Sequence, residues 1–283
     1  MGEIQRVGIV GSGIMGAGLA EVAAKAGFDV VVRSRRRAGA DDVVAGVTSN
    51  LQRQVDKGRL EAADMEATVA RLSATDHLGR LADCDLVIES IVEDLLTKRA
   101  LFAELEQIVK PEGILATNTS TLPVVELAVA TERPDKVCGI HFFNPAPLMK
   151  LVEVVRPITA SDDTMKAATG FATACGKDAI EVVDRAGFVV NALLFPYLNN
   201  AVRMLEQGTA SRDDIDTAMR GGCNFPMGPL ALLDLVGLDT SLSILDALYA
   251  EFRDPNYAAV PTLRRMVAAG RLGKKSGQGF YAY

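Results

Sequence analysis

Two ionisable side chains near the middle of the chain have the types and spacing of an acid–base pair. His141 ends an apolar run in the segment His-Phe-Phe-Asn-Pro, and Glu153 interrupts the apolar segment Leu-Val-Glu-Val-Val twelve positions later. An imidazole, whose ordinary pKa is about 6.5, can exchange a proton with a hydroxyl group, and a neighbouring carboxylate can orient the ring and stabilise its charged form. We therefore predict that His141 is the acid–base group and Glu153 its partner. The alternatives are a structural histidine and a glutamate that faces outward from an edge strand.

Two neutral polar side chains are candidates for hydrogen bonding to a carbonyl oxygen. Ser120 lies in the polar loop Thr-Asn-Thr-Ser-Thr that follows an apolar run, and Asn191 interrupts an otherwise apolar helical segment. Each can donate a hydrogen bond to a substrate, and either can instead cap the local backbone.

The start of the chain carries a glycine-rich motif between a short apolar run and an alanine-rich helical pattern. This order of strand, turn and helix is typical of a dinucleotide-binding βαβ unit, in which the helix N-terminus faces the pyrophosphate. The alternative is a glycine-rich turn without a ligand. The predicted contacts with the dinucleotide are Gly11, Gly13, Ile14, Met15 and Gly16.

The end of the second predicted strand indicates which dinucleotide binds. NAD sites usually carry a carboxylate about 20 residues after the glycines, but Ser34 stands there, followed by Arg35, Arg36 and Arg37. Guanidinium groups suit a 2′-phosphate. We therefore predict NADP, with Ser34, Arg35 and Arg36 as contacts and NAD as the alternative cofactor; the charge run can also be a solvated loop.

Apolar runs alternate with helical patterns over the first two-thirds of the chain. This alternation predicts an α/β fold, a Rossmann-like doubly wound and mostly parallel sheet, in which ligands bind beyond the carboxyl ends of the strands. Residues 89–94, 118–120 and 141–144 follow such strand ends. The predicted strands are residues 7–10, 30–32, 86–89, 114–118, 137–140, 151–155 and 179–183.

Helical periodicity after the second strand predicts an inserted helical hairpin over about residues 41–72, with Arg53, Lys57 and Arg59 near its bend. These cations could hold an anionic ligand or form a solvated helix face. From residue 185 onward the pattern is helical throughout, including one predicted helix over 230–248. We predict a dinucleotide-binding domain over residues 1–184 and an all-α substrate-binding and dimerisation domain over 185–283. Dimerisation is predicted because the second domain has more apolar surface than it can bury alone.

Composition excludes several classes of protein. The net charge of −6 argues against nucleic-acid binding, and no segment is apolar enough for a membrane span. Four scattered cysteines without a paired spacing predict neither disulfides nor a metal site. Because the first strand begins close to Met1, we expect no signal peptide and a cytoplasmic protein.

Five segments of the chain resemble the 3-hydroxyacyl-CoA dehydrogenase family, most closely its short bacterial members. They are the His-Phe-Phe-Asn-Pro segment, the glycine-rich start, Thr-Asn-Thr-Ser-Thr, Gly-Phe-Val-Val-Asn and the closing Gly-Lys-Lys-Ser-Gly-Gln-Gly-Phe-Tyr. The resemblance implies an acyl-CoA substrate, assigns the acid–base role to His141 with Glu153 as its partner, and assigns substrate contacts to Ser120 and Asn191. It also implies that the helical hairpin holds coenzyme A through Lys57. Further contacts implied for the cofactor are Glu93, Lys98, Ser120, Asn144 and Lys275.

The expected reaction is reduction of a short 3-ketoacyl thioester, acetoacetyl-CoA to 3-hydroxybutyryl-CoA, with NADPH. Related possibilities are the same chemistry with NADH, or on an acyl group held by a carrier protein. Two rival interpretations are a β-hydroxyacid dehydrogenase of the 6-phosphogluconate type, which the His-Phe-Phe-Asn-Pro segment disfavours, and a dinucleotide-binding protein without activity, which the intact His141 and Glu153 disfavour.

Overall fold

Apolar, β-branched runs form a single eight-stranded sheet in the first part of the chain. The computed structural model describes residues 4–283 and divides into two units, Met1–Asp184 and Arg185–Tyr283. The strands are β1 (Arg6–Val10), β2 (Asp29–Arg33), β3 (Leu72–Thr75), β4 (Leu86–Glu89), β5 (Ile114–Thr117), β6 (Val137–Phe142), β7 (Leu151–Arg156) and β8 (Asp178–Val183).

The strand order is β3-β2-β1-β4-β5-β6-β7-β8, and each neighbouring pair is parallel except β6 and β7. This arrangement confirms the predicted Rossmann-like, mostly parallel fold. The antiparallel pair has a functional consequence, because it places the carboxyl end of β6 beside the first half of β7. The sequence did not predict β3. Its residues, Leu-Ser-Ala-Thr, lack the continuous apolar run that marks the equally short β4 and β5, and the helical prediction over 41–72 ran into its first residue.

Helices pack on both faces of the sheet, as the alternating pattern requires. The helices of the first unit are α1 (Ile14–Lys25), α2 (Arg37–Asp56), α3 (Ala62–Ala70), α4 (Leu95–Ile108), α5 (Val124–Ala128) and α6 (Asp162–Ala174). The buried apolar side chains of α1, α2 and α6 form one core with those of the strands.

The predicted helical hairpin is formed by α2 and α3. It begins at Arg37, four residues earlier than expected, and Gly58, with a φ of +64°, lies in the bend. The buried face of α2 packs into the core through Val43, Val47 and Leu51. Asn50 donates a hydrogen bond to Glu21 of α1 (Nδ2 to Oε2, 2.8 Å), which ties the hairpin to the first helix of the sheet.

The second unit is helical throughout, with its own apolar core. The expected single helix over 230–248 is wrong: it is interrupted at Gly237, whose φ of +101° lies outside the helical region. Its helices are α7 (Val190–Glu206), α8 (Arg212–Cys223), α9 (Pro229–Val236), α10 (Leu238–Phe252) and α11 (Pro261–Ala268).

Two buried carboxylates hold the end of the chain in this unit. Asp234 of α9 accepts the backbone N–H groups of Phe280 and Tyr281 at 2.9 and 2.8 Å, and Asp216 of α8 accepts the Tyr281 hydroxyl at 2.9 Å. A Cβ on Gly279 would lie 1.9 Å from Asp234 Oδ1. Glycine is therefore required where the terminal segment crosses α9.

Candidate active site

His141 and Glu153 face each other across the antiparallel strands β6 and β7. The two residues are register partners, and His141 Nδ1 donates a hydrogen bond to Glu153 Oε2 at 2.8 Å. Both side chains are buried, with Glu153 0% and His141 4% exposed. Because β7 lies between β6 and β8, the alternative that Glu153 faces outward from an edge strand is wrong. The pair has the geometry of an imidazole oriented by a carboxylate.

The other ring nitrogen of His141 points toward the loop that follows β5. His141 Nε2 lies 3.2 Å from Ser120 Oγ, and the Phe143 ring packs against the imidazole with 4.5 Å between ring centroids. With a proton on Nδ1, a neutral imidazole accepts the Ser120 hydroxyl at Nε2. The structure therefore brings together three of the four residues for which sequence analysis predicted catalytic roles. The other histidine, His77, is exposed.

The position of Ser120 is fixed by Glu93, which lies between β4 and α4. Glu93 Oε1 accepts the Ser120 backbone N–H at 3.0 Å and the Thr119 hydroxyl at 2.5 Å. Glu93 Oε2 lies 3.2 Å from Lys98 Nζ of α4. Of the two residues that the resemblance assigns to the cofactor, Glu93 therefore contacts the loop that carries Ser120, and Lys98 contacts Glu93.

Glu89, the last residue of β4, was expected to lie at the ligand edge of the sheet as part of residues 89–94, but it was given neither a role nor a partner. Glu89 is fully buried and pairs with Lys98, whose Nζ lies 2.6 Å from Glu89 Oε1; Lys98 itself is 1% exposed. The signal was a carboxylate at the carboxyl end of an otherwise apolar buried strand. Such a charge needs a partner, and Lys98, nine residues later on an amphipathic helix, was the available cation.

Asn118 joins the two strands that carry the site. Its Oδ1 accepts the backbone N–H of Phe142 at 2.8 Å, just beyond the last register pair of β5 and β6, Thr117 with Gly139. Asn118 therefore ties the Ser120 loop to the strand that carries His141.

The glycine-rich loop at the carboxyl end of β1 has the shape that a dinucleotide needs. A Cβ on Gly11 would lie 2.1 Å from the Ser90 carbonyl oxygen, and one on Gly16 would lie 2.2 Å from the Gly11 carbonyl oxygen. A Cβ on Gly13, by contrast, would meet nothing within 4 Å. Two glycines thus allow close packing, while the third leaves open space at the start of α1. An anionic pyrophosphate fits there, because the first turn of α1 contains no acidic residue.

Ser34 lies at the end of β2 and is 9% exposed. Its hydroxyl is 2.9 Å from Ser12 Oγ, so it faces the glycine-rich loop. Arg35 and Arg36 are exposed, and neither side chain forms a hydrogen bond or ion pair with another residue among 4–283. Arg37 differs, since its Nε bonds to Asp41 Oδ1 at 2.9 Å.

The remaining predicted site residues lie at the surface or in the second unit. Asn144 and Lys57 are exposed, as are Arg53 and Arg59 beside the hairpin bend. In the second unit, Asn191 is buried at the second position of α7, and Lys275 pairs with Asp239 (Nζ to Oδ1, 2.6 Å). Their roles stay predictions.

The buried cysteines are poor candidates for chemistry. Burial raises the pKa of the Cys84 thiol to about 11 and that of the Cys138 thiol to about 12, so neither is a thiolate at neutral pH.

Within residues 4–283 no group of three side chains is arranged to hold a metal ion. No helix in that range has the length and apolar character needed to cross a bilayer.

Comparisons with known proteins match both units. A family model described as 3-hydroxyacyl-CoA dehydrogenase, NAD binding domain, matches residues 6–185, and one described as 3-hydroxyacyl-CoA dehydrogenase, C-terminal domain, matches residues 187–283. The chain is 46% identical to a Mycobacterium tuberculosis protein named 3-hydroxybutyryl-CoA dehydrogenase, with 99% of each chain covered. A probable 3-hydroxybutyryl-CoA dehydrogenase of Deinococcus radiodurans is also 46% identical, over 98% of this chain and 100% of that protein. The solved structure of (S)-3-hydroxybutyryl-CoA dehydrogenase from Ralstonia eutropha superposes with a TM-score of 0.97 at 42% identity, with 99% of each chain covered.

The contrast between Gly13 and Gly16 gives a test of the dinucleotide site. Gly13→Ala should leave the melting temperature unchanged, because its φ of −78° suits alanine and the added methyl group meets no atom. The methyl group should nevertheless obstruct a pyrophosphate and weaken binding of reduced nicotinamide dinucleotide, measured by fluorescence titration. Gly16→Ala should instead destabilise the fold, by about 1–3 kcal/mol. Unchanged binding by Gly13→Ala would contradict this assignment.

Proposed function

The chain belongs to the 3-hydroxyacyl-CoA dehydrogenase family, and from this premise we propose that it interconverts a short 3-ketoacyl-CoA and the corresponding 3-hydroxyacyl-CoA. Acetoacetyl-CoA and 3-hydroxybutyryl-CoA are the proposed pair, because the relatives from M. tuberculosis and R. eutropha are named for that substrate. The observation that carries the proposal is the buried hydrogen bond between His141 and Glu153, with the second ring nitrogen directed at Ser120.

A bound nicotinamide would supply or accept the hydride, and the chain's own residues would transfer the proton. In the direction of reduction, His141 as an imidazolium donates the Nε2 proton to the ketone oxygen. Glu153 accepts the Nδ1–H throughout, which holds the ring in one orientation and stabilises its positive charge. In the reverse direction the same nitrogen accepts the proton of the 3-hydroxyl group.

Ser120 and Asn191 have proposed roles in holding the thioester substrate. The Ser120 hydroxyl lies beside Nε2, where a substrate oxygen must come for proton transfer, so it can donate a hydrogen bond to that oxygen. Asn191 is proposed to polarise a substrate carbonyl through its amide N–H groups. For Lys57, whose side chain is exposed at the hairpin bend, we propose a contact with a phosphate of coenzyme A; the same ammonium would serve a carrier-protein thioester.

His141→Gln should lower kcat about 10²- to 10⁴-fold, since that is the usual contribution of general acid–base catalysis. Cofactor affinity should hardly change. The measurement is the loss of absorbance at 340 nm with acetoacetyl-CoA. Glu153→Gln should also lower kcat, because an amide cannot stabilise imidazolium as a carboxylate does. The matched control is His77→Gln, a change at the exposed second histidine, which should keep full activity. Full turnover by His141→Gln would refute the role.

We also propose that the enzyme prefers NADPH. The family model is described by NAD binding, but the position after β2 carries the neutral Ser34 rather than a carboxylate that would repel a 2′-phosphate. Arg35 and Arg36 are exposed next to it with no partner among residues 4–283, so both guanidinium groups are available to a phosphate. Their availability supports the proposal.

Ser34→Asp should shift the preference toward NADH. The new carboxylate would repel a 2′-phosphate and accept hydrogen bonds from a free ribose hydroxyl, so the ratio of kcat/KM for NADPH over NADH should fall about tenfold or more. Arg37→Gln, a change at the arginine already paired with Asp41, is the control and should leave the ratio unaltered. A wild-type kcat/KM that is higher with NADH than with NADPH would overturn the proposal.

A homodimer is proposed as the assembly. Leu193, Phe225 and Leu235 of the second unit are large apolar residues with 72%, 43% and 53% exposure, and a second subunit would remove such side chains from water. Light scattering at micromolar concentration should give twice the mass of one chain. A strictly monomeric mass would contradict the proposal.

A further inference from the structure

Glu89, at the end of β4, has contacts that reach the catalytic loop although the residue itself is enclosed in the fold. We propose that Glu89 is a positioning residue that fixes Ser120, and through Ser120 the environment of His141 Nε2. The inference rests on the proposed function, because it assigns a further residue to the same site.

The carboxylate of Glu89 binds three different parts of the site region. Its Oε1 accepts the Ile91 backbone N–H at 2.7 Å and lies 2.6 Å from Lys98 Nζ, while its Oε2 accepts the Thr117 hydroxyl at 2.8 Å. These partners belong to the turn after β4, to α4 and to the end of β5. One carboxylate thus fixes the distances between three elements at the carboxyl edge of the sheet.

Thr117 and Lys98 pass this constraint to the loop that carries Ser120. Thr117 Oγ1 accepts the Thr119 backbone N–H at 3.1 Å, so the first turn of the loop is tied to the hydroxyl that Glu89 holds. Lys98 reaches from Glu89 to Glu93, and Glu93 accepts the Ser120 backbone N–H. The loop is therefore held at its start through Thr117 and at Ser120 through Glu93, with Glu89 common to both connections.

Stability alone does not account for a charge in this place. Burying an ion pair usually costs as much as it gains, and apolar residues of similar volume would pack at least as well. What the charges add is direction, because charge-assisted hydrogen bonds fix angles as well as distances. Of the three side-chain partners of Glu89, Thr117 directly precedes the loop that carries Ser120, Lys98 is the cation that binds Glu93, and the Ile91 N–H belongs to the turn after β4.

Glu89→Gln tests the proposal. The amide keeps the shape but loses the charge that holds Lys98, so Ser120 should no longer be fixed relative to His141. We expect kcat with acetoacetyl-CoA to fall about 10- to 100-fold, the size of effect that a small misplacement of catalytic groups produces, with little change in KM. Thr117→Val removes the other connection without altering charge and should lower kcat in the same way. It decides the question if Glu89→Gln fails to fold.

A double-mutant cycle separates positioning from a general loss of structure. If Glu89 acts through Ser120, then Glu89→Gln should have no further effect on kcat in a Ser120→Ala background, because there is no hydroxyl left to position. The same comparison applies to Thr117→Val. An equal fold-loss in both backgrounds, or no loss in either, would overturn the proposal.

Asp85→Asn is the matched control. Asp85 precedes β4 at the opposite end of the strand and has a similar set of partners: Lys110 Nζ at 2.6 Å and the backbone N–H groups of Gln5 and Arg6 at 2.8 Å. Burial opposes ionisation of Asp85, but the hydrogen bonds from Lys110, Arg6 and Gln5 outweigh it, so its pKa lies below the ordinary value. Removing this charge should lower the melting temperature and leave kcat intact. If Asp85→Asn lowered kcat as much as Glu89→Gln does, the loss of any ion pair at either end of β4 would be enough to lower kcat, and the proposal would be contradicted.

Ring signals of the two histidines provide a readout that does not need activity. Glu89→Gln should change the chemical shifts of the His141 ring nitrogens in NMR spectra and leave those of His77 unchanged, whereas Asp85→Asn should change neither. If wild-type protein fails to reduce acetoacetyl-CoA, the proposed function fails and this arm still tests Glu89. Unchanged His141 signals in folded Glu89→Gln would refute the positioning role.

Discussion

The hydrogen bond between His141 and Glu153 requires the one antiparallel pairing in the sheet. Cross-strand partners in an antiparallel pair point to the same face, so two residues on β6 and β7 meet directly even though twelve positions separate them. If β7 were parallel to β6, the residues of β7 beside His141 would come from the carboxyl end of β7 and not from the half that contains Glu153. The reversal at β7 thus serves the chemistry, while the parallel strands before it serve the nucleotide.

Burial makes this pair effective. Both side chains are removed from water, so the attraction between a carboxylate and an imidazolium is much stronger than it would be at the surface. The penalty for enclosing the carboxylate is offset by the Nδ1–H that it accepts, and Phe143 covers the ring on one side. A site of this kind holds one ring orientation and leaves Nε2 as the nitrogen that faces Ser120.

Local patterns were enough to predict most of this architecture from the sequence. Strong periodicity gave the strands and helices, and the glycine motif placed the nucleotide loop. Three features could not be read in this way. The strand β3 has no continuous apolar run, the break at Gly237 depends on a positive φ that glycine allows but does not require, and the contacts of Glu89 join residues from three elements. Pairings between distant residues follow from the register of the sheet, which no local pattern encodes.

The distribution of burial divides the site residues into two groups with different physical tasks. His141 and Glu153, and likewise Glu89 and Lys98, are bound to each other, and each of these four residues is less than 5% exposed. Several of the residues expected to meet ligands are open to solvent, as at Gly13, Arg35, Lys57 and Asn144, whereas Ser34 and Asn191 are buried. A rigid interior with an accessible rim allows substrate and cofactor to enter and leave without disturbing the groups that transfer the proton. Because binding then costs little reorganisation at the reacting centre, the catalytic geometry can be set by folding alone.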